Sequence, residues 1–244
     1  YGSPDALGLF GVMHGMALPV IFFPYAILSP FTSLLMPEIA RLHARNDREG
    51  IAFCSALVLR LTLLFAFFCA ALFCFFGLPL GDALYTSEGV GRMIVLFSPL
   101  VPVMYADTAT DAVLKGLGEQ VYCMKVNVTD AALSLLLVWL LVPRIGAYGY
   151  LLTVFLSECF NTFWSVRRLT KRTRVNFSFS RSVLLPALCA AGGGALGLFI
   201  FKKSGGGLLL PLLSFSLLYP LLLRLTGALL PSDRRYLLRV LRGK

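Results

Sequence analysis

IAFCSALVLRLTLLFAFFCAALFCFF, residues 51–76, is a run of 26 positions that carries a single charge, Arg60. A helix crossing the hydrocarbon core of a bilayer needs about 20 mostly apolar residues. A helix that is apolar all round cannot lie on a water-soluble core with one face in solvent. The run therefore reads as a membrane span, and it sets the scale for the rest of the chain. Six further segments pass the same test. The seven predicted spans are roughly 12–36, 51–76, 93–115, 121–142, 147–167, 183–201 and 207–230. The expected fold is an all-α polytopic transmembrane helical bundle over residues 1–230. An amphipathic cytoplasmic tail is expected over 231–244, where Ser232 caps a mixture of basic and apolar positions.

Composition agrees. Of the 244 residues, 58% are hydrophobic and 14% charged, with a mean hydropathy of +0.81. A soluble domain is nearer to about 45–50% apolar and 25% charged. A disordered chain, a disulfide scaffold and an ordinary cytosolic enzyme are excluded on these grounds. The net charge of +10 does not point to nucleic acid, because no basic stripe with interleaved aromatics stands apart from the apolar runs. The six cysteines lie in or beside apolar segments and form no CxxC pair, so they read as small apolar residues.

The cations set an expected orientation. Seventeen of the 22 Lys and Arg fall in one alternating set of loops and tail, four in the opposite set, and Arg60 lies inside a span. Cytoplasmic loops carry the excess of Lys and Arg. The expectation is thus a multi-pass protein of the cytoplasmic membrane with its N-terminus outside and its C-terminus in the cytoplasm. An outside start at Tyr1 without a signal peptide implies preceding helices.

The first span is interrupted by Pro19, Pro24 and Pro30. Each proline removes a backbone donor and bends the helix. Broken helices in a bilayer need protein or a water-filled cavity to satisfy their backbone. Gly77 to Gly91 reads as an exposed turn region, and Pro143-Arg144-Ile145-Gly146 as a tight connection. Gly193 and Gly197 form a GxxxG spacing that suits close helix packing.

Ionisable residues inside spans are costly and are functional candidates by default. Arg60 lies roughly 13 Å into its helix at 1.5 Å per residue. Asp107 and Asp111 stand one turn apart, and Asp111 and Lys115 are spaced for a structural i,i+4 pair. Asn127 and Asp130 follow on the fourth span, Glu158 and Asn161 on the fifth. The candidates for substrate binding or ion coupling are Arg60, Asp107, Asp130, Glu158 and Asn161, with Asp130 or Glu158 as possible partners for Arg60. No P-loop, HExxH or GxSxG pattern is present, so no catalytic residue, metal site or cofactor is expected and the chain reads as a non-enzyme.

Three stretches resemble a known family. They are Leu7-Gly8-Leu9-Phe10-Gly11 through Pro19 with Ser33 to Ala40, then Val113-Leu114-Lys115-Gly116-Leu117-Gly118, then Leu141-Val142-Pro143-Arg144-Ile145-Gly146-Ala147-Tyr148-Gly149. Their order and spacing are similar to the C-terminal half of polysaccharide and lipid-linked oligosaccharide flippases of the stage V sporulation protein B type. That branch belongs to the superfamily of multidrug and toxic compound extrusion (MATE) transporters. The resemblance implies the C-terminal lobe of a fourteen-helix transporter that moves a polyprenyl-diphosphate-linked saccharide by alternating access. Implied partners are that lipid-linked substrate, the bilayer and an N-terminal lobe, with no nucleic acid. The dispersed acids instead suit a Na⁺- or H⁺-coupled multidrug exporter of the same fold. A membrane-embedded enzyme acting on polyprenyl phosphates is a further alternative, and a membrane scaffold the last.

Overall fold

The computed structural model describes residues 8, 10–85, 89–174, 180–203 and 209–227. The predicted tail over 231–244 lies outside the described residues. All described elements are helices, with no strand among them. Helix α1 (Val12–Phe22) opens as a π-helical stretch, Val12–Ala17, and is followed by α2 (Tyr25–Ala44). Then come α3 (Arg48–Leu84), α4 (Val90–Gly116), α5 (Gln120–Ile145), α6 (Ala147–Thr173), α7 (Leu185–Lys203) and α8 (Leu209–Leu225).

Four helical stretches are long and apolar enough to cross a membrane: α3, α4, α5 and Ser180–Phe201, which contains most of α7. The α1–α2 pair, bent by 47°, makes a fifth if counted as one span. Two of the seven expected spans fall outside this count. Helix α8 has 17 residues, and α6 has 27 but carries too many polar positions.

Three apolar clusters hold the bundle together. One joins Met13, Ala17 and Ile21 of α1 to Phe73 of α3 and to Ile94, Phe97 and Tyr105 of α4. A second joins Leu35 and Ile39 of α2, Val58 of α3, Val113 and Leu114 of α4, and Leu169 of α6. A third packs α3 on α7 and α8 through Phe76, Cys189, Phe215 and Tyr219. Gly193 and Gly197 meet Phe215 of α8, and Gly197 also meets Phe76, so their close spacing serves packing.

The stretch from Gly77 corrects an expectation. It is not an exposed turn: α3 runs on to Leu84, with Gly77 and Gly81 buried. A Cβ on Gly81 would lie 2.4 Å from the Gly91 backbone, and one on Gly91 would lie 2.8 Å from Leu78 Cα and O. These glycines let the backbones of α3 and α4 touch, and the contact holds the helix together where composition suggests a loop. The connection is tighter than expected: Pro143, Arg144 and Ile145 continue α5, and Gly146 alone links α5 to α6 at φ 63°.

Candidate functional site

The break between α1 and α2 falls at Phe23-Pro24. In an unbroken helix Ile21 O would accept from the Tyr25 amide, and Pro24 has no amide to offer Val20. At the break the buried Tyr105 hydroxyl of α4 donates to Ile21 O at 2.6 Å. A side chain is thus inserted into the helical ladder, one of the recognised causes of a sharp kink.

The broken helix lines a cavity of about 470 Å³. His14, Leu18, Pro19 and Phe22 form one wall; Met104 of α4, Ser134 and Val138 of α5, and Tyr150, Thr153, Val154, Ser157 and Glu158 of α6 complete it. Of the two ways of satisfying a broken backbone, the structure shows protein at the break itself, through Tyr105, with the cavity beside it. His14 Nδ1 and the Tyr150 hydroxyl lie 3.2 Å apart, and Phe10 stacks on His14 with centroids 5.3 Å apart.

From the cavity a polar seam runs along α4, α5 and α6. Ser134 Oγ donates to Ser157 Oγ at 3.0 Å, and Ser157 Oγ donates to Asp130 Oδ1 at 2.6 Å. Asn161 Nδ2 reaches Asn127 Oδ1 at 3.5 Å. Thr162 Oγ1 donates to Val103 O at 3.2 Å, and Ser165 Oγ to Asp111 Oδ1 at 3.4 Å. Lys115 Nζ pairs with Asp111 at 3.5 Å, as the i,i+4 spacing predicts. Asp107 is buried at 9% exposure, and its Oδ1 makes no hydrogen bond among the described residues.

No protein-family model, curated protein or solved structure matches this chain.

Of the sequence candidates, Asp107, Asp130, Glu158 and Asn161 come together along this seam, and Glu158 reaches the cavity wall. Arg60 is half-buried on α3 and is not among the cavity-lining residues. Tyr105, Tyr150, Ser134 and Ser157 were not singled out by sequence. A signal exists for the serines: 127, 130 and 134 on α5, and 157, 161 and 165 on α6, recur at three- and four-residue spacing and so mark facing polar stripes. Among the described residues, no group of three or more His, Cys, Asp or Glu is placed to hold a metal ion.

The seam ends in an ion-pair clamp on the α4–α5 turn. Glu119 accepts from Arg168 Nε at 3.1 Å and from Arg168 Nη2 at 2.6 Å, and it also pairs with Arg172. The Arg168 guanidinium lies 4.7 Å from the Tyr122 ring centroid. Burial alone would raise the Glu119 pKa, but the Arg168 bond and the two arginine charges outweigh it and hold the carboxyl below its ordinary value.

Proposed function

We propose that this chain forms part of a membrane transporter that moves a lipid-linked saccharide across the cytoplasmic membrane by alternating access. The observation that carries the reading is the proline-broken helix lining a cavity with a carboxylate and hydroxyls in an otherwise largely apolar wall. Discontinuous helices at a central cavity are a recurring construction of transporters. The likeness of the Leu7–Pro19, Val113–Gly118 and Leu141–Gly149 stretches to flippases supports the substrate class.

The seven-span count belongs to this reading. Helix α6 is polar because Ser157, Asn161, Ser165 and Arg168 face α4, α5 and the Glu119 turn, where they meet partners instead of lipid. Its 27 residues extend roughly 40 Å, enough to cross. The orientation set by the cations, with the C-terminus cytoplasmic, is part of the same proposal.

One observation favours a second reading, the cation-coupled exporter. Glu158 lines the cavity and, among the described residues, no Lys or Arg does. The carboxylates are strung along the seam, which suits a proton passed between them.

The test is reconstitution in proteoliposomes with two cargoes, a fluorescent polyprenyl-diphosphate saccharide and a cationic dye. Glu158→Gln should abolish or flatten the pH dependence of transport without loss of membrane insertion. Movement of the saccharide supports the flippase, and movement of the dye alone supports the exporter. Transport at the wild-type rate and pH profile in Glu158→Gln would remove the seam from the mechanism.

A further inference from the structure

A second cavity, of about 660 Å³, lies at the opposite end of α6 from Gly146, between that end, the α2–α3 turn and the α4–α5 turn. Its lining includes Arg48, Lys171, Arg172 and Arg174, with His43 and Asn46 beside them, over the buried Ile51 and Leu117. Two carboxylates face the same space, Glu49 and Glu119. Glu119 is already engaged by Arg172 and by Arg168. Arg48, Lys171 and Arg174 make no side-chain hydrogen bond or ion pair among the described residues, so their charge is available to a ligand. The cavity is therefore a concave site with an excess of unpaired cations and an apolar floor. The cavity sits at the ends of α3, α4 and α5, three helices long and apolar enough to cross a membrane, the level at which a bilayer's phosphate layer meets its acyl chains.

We propose that this cavity binds a phosphate ester, and that its carrier is the headgroup of an anionic phospholipid. Arg48 and Arg174 approach the phosphate from the α2–α3 turn and from the end of α6, and Lys171 adds a third donor. The Glu119 clamp holds Arg172 at the rim. Basic pockets between membrane helices are suited to such headgroups, and each Lys or Arg near an anionic surface contributes about 1 kcal/mol. The proposal rests on the helices being embedded in a bilayer and is independent of any transported cargo.

The experiment uses the full chain in dodecyl maltoside, with thermal unfolding and native mass spectrometry as readouts. Dioleoylphosphatidylglycerol is titrated against dioleoylphosphatidylcholine, and sodium phosphate against sodium chloride at matched ionic strength. The variants are Arg48→Gln with Arg174→Gln and, as a charge-matched control, Arg181→Gln with Arg224→Gln, both of which are exposed. Phosphatidylglycerol should raise the melting temperature where phosphatidylcholine does not. Its affinity should fall roughly thirtyfold in the cavity variant and remain in the control. A matching response to inorganic phosphate alone would overturn the lipid assignment in favour of a soluble phosphate. No response, or equal loss in the two double variants, would overturn the site. Because no transport is measured, either failure leaves the transporter reading to its own test.

Discussion

Replacing Tyr105 by Phe isolates the hydroxyl that bridges the broken helix. The ring is 1% exposed and stays in place between Tyr25 and Phe65, so no cavity is created. What is lost is the 2.6 Å donor to Ile21 O, at a position where the helical donor has been displaced. A buried carbonyl left without a partner costs about 1–3 kcal/mol. The internal control is Tyr219→Phe. The Tyr219 hydroxyl also donates to a backbone carbonyl, Leu64 O, at 2.7 Å and in a buried setting. Leu64 lies in the unbroken interior of α3, where its carbonyl already has the Phe68 amide as a helical partner. Removing that second donor should cost only about 0.5–1.5 kcal/mol, the net worth of an ordinary hydrogen bond. The assay is unfolding in mixed micelles of dodecyl maltoside and sodium dodecyl sulfate, followed by circular dichroism. Tyr105→Phe should be the more destabilised of the two by a factor of several in the unfolding constant. Equal losses, or a smaller loss at Tyr105, would refute the idea that its hydroxyl completes the ladder at the break.

Gly81→Ala places a methyl 2.4 Å from the Gly91 backbone and must push α3 and α4 apart, so the same titration should read about 1–3 kcal/mol lost; a neutral substitution would mean the helices are less closely apposed. For Glu119 the folded pKa is lowered from its ordinary 4.5, so the clamp stabilises above that value and is lost as the pH falls through the lowered one. Wild type should therefore lose stability from about pH 5 downward more steeply than Glu119→Gln, and parallel pH curves would remove the clamp as a source of stability.

The helices were legible because hydropathy and length are local properties, and the kink was legible because proline lacks a donor wherever it sits. Asp111 with Lys115 was legible because one helix fixes their spacing. The extension of α3 through Gly77 and Gly81 was not: two glycines and Pro79 read locally as a loop, and only their contact with Gly91 makes them a helix. Tyr105 was hidden for the same kind of reason, since its partner Ile21 is 84 positions away. The polar seam was half legible. The carboxylates stood out by their cost in a membrane, while the serines that bond them carry no charge to attract notice.

The single-residue link at Gly146 has a consequence for biogenesis. Helix α6 on its own exposes hydroxyls, amides and a carboxylate, and it does not reach the hydropathy expected of a span. Helix α5 does reach it, and carries the matching groups Ser134, Asp130 and Asn127. Each helix satisfies the other, and the one-residue connection keeps them adjacent as they leave the ribosome. On the seven-span proposal, the two partition into lipid together as a preassembled hairpin, the apolar helix of the pair carrying the polar one.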